Sequence, residues 1–579
     1  MSKKSDDVYS KIWNLALNRG FFWQSSEIYG GVGGFIDLGP LGVSLKNKIV
    51  EKWRSLFIKP HQGFIVEIET PVITPERVLV ASGHVESFTD YIVECMNCGR
   101  KFRADHLIED ATGLSGLEGL PTDELDEIIR RHGVKCPECG GVLGKVEKFN
   151  LLFRTNIGPY SENIGYARPE TAQGMFTSFM RVYEAMRRRL PLGIAQIGRV
   201  MRNEISPRQG PIRLREFTVM EIELFYDPEN PACPLLDRVG DVELRLLTEE
   251  DVVKGVKEPR VVSVSEAVEK GYVMNEWNAY FMALSKIFVC GLGVPEDKQR
   301  FLAKLPYERA HYAAQTYDHQ VLTSRWGWVE VSGHAYRTDY DLRQHMKYSG
   351  QDLRAYRLLP QPIRKKVVTV KPNRASIGRN FRKKAKAIFE MLKRLSEEEV
   401  LSQLSERGVV DLGDVKLDKS YFVVEEREEI VTMTRFIPHV AEPSFGVERL
   451  LYVTLEYSYH ERDGRVVLRI PRDLAPVQAA VFPLVSKQPL IAVAKRIYRE
   501  LVDRGFNVVY DEEGSIGKRY ARVDEIGVPF AVTVDYRTIE DDTVTIRDRD
   551  TWEQVRIRIE ELSNFIKREL SQTRKNLGG

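Results

Sequence analysis

The stretch Arg199-Val-Met-Arg-Asn-Glu-Ile-Ser-Pro-Arg-Gln-Gly-Pro-Ile-Arg-Leu-Arg-Glu-Phe-Thr-Val-Met-Glu-Ile-Glu-Leu-Phe225 decides the fold. A period of two predicts two strands joined by a basic, Pro/Gly-containing loop. Side chains alternate between the faces of a strand, so Arg202 and Glu204 are expected to point the same way. On the second strand Phe217, Val219, Glu221 and Glu223 share one face, and Thr218, Met220, Ile222 and Leu224 share the other. The apolar set can enter a core. What remains is a floor of one ring, one arginine and three carboxylates, with Arg208, Arg213 and Arg215 in the loop above. Such a floor suits an anionic, ring-bearing ligand such as a nucleotide, with a cationic group nearby. The same pattern also describes an amphipathic hairpin with a solvated charged face, and the segment alone leaves both readings open.

Composition bounds the rest. A chain of 579 residues exceeds one core and suggests roughly three or four domains. With 43% hydrophobic and 29% charged residues it reads as globular, and a net charge of only +2 makes any nucleic-acid surface local. The uncharged apolar run Leu474 to Ser486 has 13 residues and contains prolines, whereas a membrane helix needs about 20. The first residues lack the apolar stretch of a signal peptide, so a cytoplasmic protein with no membrane contact is expected.

Four of the six cysteines form two pairs, Cys95-x-x-Cys98 and Cys136-x-x-Cys139, each followed by glycine. Two such knuckles supply the four thiolates of a tetrahedral structural zinc site. Between them, Thr122 is a plausible N-cap for a helix from Asp123 to His132, stopped by Gly133. Cys233 and Cys290 read as ordinary buried thiols.

Further helices are expected at 7–23, Val43 to Phe57 and Met175 to Arg189, with strands at Phe64 to Glu69 and Trp328 to Ser332. The glycine cluster between Glu27 and Gly42 is not followed by Gly-Lys-Ser/Thr, which weakens a phosphate-loop reading. Residues 364 to 394 carry twelve Lys/Arg and a single acid, Glu390, with Phe381, Ala385, Ile388, Phe389 and Leu392 at helical spacing. That imbalance favours a phosphate-backbone contact. From Arg472 onward strands and helices alternate (Ala479 to Leu484, Ala492 to Arg504, Phe506 to Tyr510, Ile516 to Ile526, Phe530 to Asp535), and one long helix is expected over Asp550 to Ser571. The alternation indicates an α/β domain.

The hairpin, with Arg-x-Glu followed after a loop by Phe-x-x-x-Glu, resembles motif 2 of the class II aminoacyl-tRNA synthetases. The helix before Phe64 with its strand and Pro71 resembles motif 1, and Ala441-Glu-Pro-Ser-Phe-Gly-Val-Glu-Arg449 resembles motif 3, with Glu448 where another glycine is frequent. Asp37-Leu-Gly-Pro-Leu-Gly42, Arg168-Pro-Glu-Thr-Ala-Gln-Gly174, Arg202-Asn-Glu-Ile-Ser-Pro-Arg208 and Glu442-Pro-Ser444 extend the likeness to the dimeric glycyl-tRNA synthetases of the archaeal and eukaryotic type, over nearly the whole chain. Gly514 to Arg522 and Gly527 to Phe530 look like the anticodon-binding domain of class IIa enzymes.

The resemblance implies an α+β multidomain protein: an antiparallel catalytic sheet with helices, a zinc-binding insertion, further α/β insertions and a C-terminal α/β anticodon-binding domain. Its parts would be core with motif 1 (1–91), the zinc insertion (92–148), core with motif 2 (149–226), an insertion (227–305), core (306–348), a basic insertion offering a tRNA contact (349–430), core with motif 3 (431–471) and the anticodon-binding domain (472–579). It also implies a homodimer through motif 1, with ATP, glycine and tRNA(Gly) as partners and Mg²⁺ and Zn²⁺ as metals. Arg202 and Arg449 would be catalytic. Arg202, Asn203, Glu204, Arg213, Leu214, Phe217, Glu330, Val331 and Arg449 would hold ATP, with Glu330 also toward Mg²⁺. Glu170, Glu221, Arg337, Glu442, Pro443 and Ser444 would hold glycine, Arg337 on its carboxylate. Asp511, Arg519 and Arg522 are candidates for reading the anticodon, by position only. Two alternatives share the motifs: a class IIa enzyme for another amino acid, and a non-catalytic protein on the same scaffold.

Overall fold

The computed structural model describes residues 7–575, apart from Ser115, Glu118, Ser161, Arg208 and Gln209. Its centre is a nine-stranded sheet. In chain order the strands are β1 (Ile65–Glu67), β2 (Leu192–Met201), β3 (Glu216–Tyr226), β4 (Glu243–Leu247), β5 (Arg260–Ser263), β6 (Gln299–Ala303), β7 (Gln315–Thr323), β8 (Gly327–Thr338) and β9 (His439–Gly446). Their order across the sheet is β5-β4-β6-β7-β8-β9-β3-β2-β1. Pairing is antiparallel except between β1 and β2 and between β4 and β6.

The hairpin pairs as its alternation requires, from Leu192 with Phe225 to Met201 with Glu216. Met220, Ile222 and Leu224 enter the main core together with Leu45, Ile49 and Trp53 of the helix Pro40–Trp53. The helix Glu276–Cys290 packs on the same side of the sheet. It is mostly apolar, with Trp277, Phe281, Phe288 and most of its other residues buried, as expected of a helix enclosed on most sides. One expectation fails at the end of β2: the strand stops at Met201, and the Glu204 N–H donates to the Arg202 carbonyl at 2.7 Å. The two side chains are therefore set by a turn and not by strand alternation.

Residues 227–305, expected as an insertion, instead extend the catalytic sheet by β4, β5 and β6. Their partners are distant in sequence, Leu246 opposite Phe301 and Arg300 opposite Gln320, which local patterning does not display. The first helix is Val8–Arg19, ended by Gly20, and Phe22–Gln24 is already a strand. The helix after Glu170 runs Ala172–Ala185.

The cysteine-bearing segment forms a three-stranded sheet (Lys101–Arg103, Thr89–Cys95, Leu143–Asn150) with helices Ala104–Thr112 and Thr122–His132. Pro121, not Thr122, occupies the N-cap, and Gly133 ends the helix as expected. The C-terminal sheet has the order Val508–Tyr510, Ala479–Pro483, Phe530–Val534, Thr543–Asp548, Gln554–Arg558. The first three strands are parallel and the last two antiparallel. The single helix expected over Asp550 to Ser571 is replaced by the end of this hairpin, a short turn, and a helix Leu562–Lys575.

Residues 354–436 form a separate compact unit. In it Ala355–Pro372 pairs with Phe422–Phe436, so the first part of the basic run is a strand. Ile377, Ala385, Ile388 and Leu392 from two short helices share its core.

Candidate functional site

Two cavities open on the face of the sheet opposite the main core. The first is lined by Arg202, Glu204, Arg213, Leu214, Phe217, Glu330, Val331 and Arg449, with Pro211 and Ile212 among the further residues. Of the residues expected at ATP only Asn203 does not line it; its N–H donates to the Leu151 carbonyl at 2.7 Å.

Arg449 is the third residue of the helix Val447–Ser458, which follows β9 directly. Its Nε donates to the Ile212 carbonyl at 2.8 Å, and its Nη1 donates to the carbonyl and to the Oε2 of Glu330, each at 2.9 Å. A guanidinium in the first turn adds to the positive end of the helix dipole and favours an anion there. Glu448, the departure from the motif 3 pattern, is buried and accepts from Thr218: the N–H at 2.7 Å and Oγ1 at 3.0 Å. It pins the motif 3 helix to β3. Arg215 points away from the cleft, donating to the carbonyls of Gly33 and Glu204. A Cβ on Gly34 would stand 2.6 Å from Pro207 Cγ, so the glycine cluster serves close approach to this loop. Arg208 lies outside the described residues.

The second cavity is lined by Glu170, Glu221, Glu442 and Ser444, with Tyr312, Asp318 and His334, and it shares Arg202, Glu330 and Ser444 with the first. Register explains the grouping: Ser444 of β9 lies opposite Glu221 of β3. The Ser444 hydroxyl donates to Glu221 Oε1 at 2.7 Å, and the Thr171 N–H donates to Oε2, also at 2.7 Å. Pro443, between Glu442 and Ser444, falls on the other face by alternation and does not line the cavity.

Arg337 departs from its expected role. It is fully buried and absent from the lining. Nη1 donates to Glu442 at 3.0 Å, Nε and Nη2 to Asp341 at 2.9 and 3.0 Å, and Nη2 also to Glu170 at 3.5 Å. Its guanidinium carbon is 3.7 Å from the Tyr312 ring centroid. The side chain thus organises the acids from behind: four of its five N–H donors are spent on Glu170, Asp341 and Glu442.

These acids titrate differently. Burial raises Glu170, but His84 and Arg337 outweigh it and hold the carboxyl well below the usual range. Burial pushes Glu442 up to about 7, with Arg337 opposing and Glu170 and Glu221 adding to the rise. The reason is partners: Glu170 has Gln173, His84 and Tyr312 besides Arg337. Glu223, beside them and fully buried, has no hydrogen-bond partner on either oxygen, and burial followed by Glu442 raises it far. Asp318 is pushed up to about 7 by burial and by Glu330, against Lys304 at 3.3 Å.

Thr171, Tyr312, Asp341 and His84 were not singled out from the sequence. Thr171 sits inside the quoted Arg168-to-Gly174 motif and was findable; Tyr312 and His84 carry no local signal. Apart from these cavities, the four sulfurs of Cys95, Cys98, Cys136 and Cys139 lie within 4.8 Å of one another. Cys95 and Cys139 are 3.5 Å apart and Cys98 and Cys136 3.7 Å, against about 3.8 Å between sulfurs bound tetrahedrally at ~2.3 Å. The Gly99 and Gly140 N–H groups close the two knuckles on the Cys95 and Cys136 carbonyls, each at 2.9 Å. Among the C-terminal candidates, Arg519 is buried and donates to the Pro483 and Gly514 carbonyls, while Arg522 pairs with Asp511. Arg519 therefore holds a loop and is not free to read a base.

Comparison with known proteins gives the family. A glycine–tRNA ligase from Aeropyrum pernix is 55% identical over 97% of each chain. The chain belongs to the glycine–tRNA ligase family. Glycine–tRNA ligases from Pyrococcus horikoshii (50% identical over 97% of this chain and 98% of that one) and Methanocaldococcus jannaschii (46% over 98% and 100%) are similar throughout. The model of the anticodon binding domain matches residues 478–569. Family membership and the two cavities agree: this is a class II synthetase core carrying a C-terminal anticodon-binding domain. Among the described residues, no helix is long and apolar enough to cross a membrane.

Proposed function

We propose that the protein activates glycine with ATP, forming glycyl-adenylate and pyrophosphate, and then transfers the glycyl group to the 3′ end of tRNA(Gly). The observation that carries this reading is the meeting of a guanidinium- and aromatic-lined cleft with an acid-lined cavity at Arg202, Glu330 and Ser444. In the first step a glycine carboxylate oxygen attacks the α-phosphorus and pyrophosphate leaves. Two anions must approach, so positioning and charge neutralisation do most of the work, and no protein nucleophile is required. Arg202 takes the α-phosphate and the substrate carboxylate. Glu204 reads the adenine, Phe217 and Arg449 flank its ring, and Arg213 with Arg449 takes the outer phosphates. Glu330 would help hold Mg²⁺, whose charge would offset that of the phosphates. The glycine ammonium pairs with the acids of the second cavity. In the second step a tRNA ribose hydroxyl attacks the adenylate carbonyl and AMP leaves.

Glycine offers no side chain to grip. A pocket that merely admits one more methylene discriminates by only ~1–3 kcal/mol. Here the wall beside Glu170 and Glu442 is backed by Arg337 and Tyr312, so a Cβ would have to displace hydrogen-bonded acids. The exposed apolar residues Ile28, Tyr29, Val32 and Val43 and the edge strand β1 support a homodimer. The four thiolates suit a structural zinc ion. Cytoplasmic location follows from the reaction.

ATP–pyrophosphate exchange with each amino acid in turn tests this. Exchange with glycine alone is expected. Exchange with proline but not glycine would overturn the substrate, and none with any amino acid would overturn the activity. Metal analysis should find about one zinc per chain, lost in Cys95→Ser and Cys98→Ser; a folded, metal-free wild type would remove the zinc assignment.

A further inference from the structure

Arg202 is the residue shared by both cavities whose aim matters most, and little in the hairpin fixes that aim. Its Nε donates to the Pro169 carbonyl at 3.2 Å. Its guanidinium carbon lies 5.4 Å from the Phe217 ring centroid and 5.5 Å from that of Phe88. Phe217 belongs to the nucleotide cleft. Phe88 belongs to no motif and lines neither cavity. It stands immediately before the strand Thr89–Cys95, which ends on the first cysteine of the cluster.

Phe88 is itself well held. Its ring packs against the cluster of Leu79, Leu152 and Tyr166. Its N–H donates to the His84 carbonyl at 3.1 Å, and its carbonyl accepts from the Leu151 N–H at 3.0 Å. The cysteine-bearing sheet makes a second contact with the motif 2 loop, where Ser206 Oγ donates to the Lys101 carbonyl at 2.6 Å. Within that sheet Arg103 pairs with Asp90 at 3.3 Å. The insertion is thus tied to the segment that carries Arg202 at two points, Phe88 and Lys101.

We propose that Phe88 is a positioning residue for adenylate formation: its ring, fixed at the root of the cysteine-bearing insertion, holds the Arg202 guanidinium in its working orientation. The proposal rests on the role given to Arg202 above. An aromatic face within about 6 Å attracts a guanidinium without using any of its N–H donors. Those donors remain available for the α-phosphate and the substrate carboxylate. A carboxylate or side-chain amide at the same place would compete for them. Bringing Arg202 into line before ATP arrives lowers the barrier to the chemical step more than it strengthens binding, because misplacement is corrected only at the cost of rate.

The test uses the full-length, zinc-loaded protein and compares Phe88→Leu, Phe88→Tyr and Arg202→Ala in ATP–pyrophosphate exchange with glycine, alongside thermal unfolding. Leucine keeps the packing and removes the π face; tyrosine keeps both. Phe88→Leu is expected to lower kcat about tenfold, with KM for ATP and for glycine within about twofold. Phe88→Tyr is expected to stay within about twofold of wild type. Should Phe88→Leu fail to fold, Phe88→Met takes its place with the same expectation. A folded Phe88→Leu or Phe88→Met with wild-type kcat overturns the proposal, as does a Phe88→Tyr as slow as Phe88→Leu. Arg202→Ala separates the two levels: if it retains exchange, the role of Arg202 itself fails. If it is inactive while Phe88→Leu is normal, only the positioning role of Phe88 fails.

Discussion

The two cavities that meet at Arg202 are built in opposite ways. On the amino-acid side the acids are tied down before any ligand arrives: Glu221 by Thr171 and Ser444, Glu170 and Glu442 by Arg337, and Arg337 in turn by Asp341 and the Tyr312 ring. In the first cavity, the proposed nucleotide site, Arg449 is held by Ile212 and Glu330, but the other two arginines make fewer polar contacts. Arg202 has one backbone acceptor and two rings, and Arg213 meets Glu204 only at 3.5 Å. The contrast fits the ligands. Glycine is small and must be selected against a single extra methyl group, which calls for a rigid wall. ATP is large and highly charged, and guanidinium donors that are not spent on protein acceptors remain available to its phosphates.

The largest effect expected from breaking this contrast is at Arg337. Replacing it by methionine leaves Glu170, Asp341 and Glu442 buried without their shared cation and should cost about 3–5 kcal/mol of folding stability. Denaturant unfolding measures this; a loss below about 1 kcal/mol would mean that the acids do not depend on it. In the first cavity, Arg202→Ala should lower kcat for exchange about 10²–10³-fold while leaving the unfolding midpoint unchanged. A large drop in stability there would erase the distinction between the two sides.

The smallest effect separates the cavities by pH. Glu442 is raised to about 7 by burial, and the glycine ammonium selects its ionised form. Below that pH the extra proton occupies the empty pocket and must leave before glycine binds. Glycine KM should therefore rise as pH falls from 8 to 6, by at most about tenfold per unit, while ATP KM stays flat. Steady-state exchange across that range checks it, and parallel changes in both KM values would count against Glu442 as the titrating group.

Much of this was legible in the sequence where the signal is local. The alternation of residues 217–224 placed Met220, Ile222 and Leu224 in the core and left Glu221 and Glu223 on the ligand face. The cysteine pairs announced their own cluster. Residues 227–305 were not legible, because β4, β5 and β6 are defined by partners far along the chain. The hairpin Thr543–Asp548 with Gln554–Arg558 hid for a different reason, its second strand being read as the start of a long helix. Arg337 shows the limit for sites. Its residue type invites a substrate carboxylate, and only the positions of Asp341, Glu170 and Glu442 show that it is shared among three buried acids.

Strand β3 carries Phe217 in the first cavity and Glu221 in the second, the proposed nucleotide and glycine sites. Four residues of extended chain span about 14 Å, so the backbone works as a ruler between the two cavities. Ladder pairing to β2 and β9 on both flanks fixes that ruler, and a slip by one residue would turn both side chains into the core. Side-chain replacement can reshape either end, but the interval between them is a property of the sheet. Any change in which amino acid is joined to AMP must therefore be made in the walls, with the reacting distance left as it is.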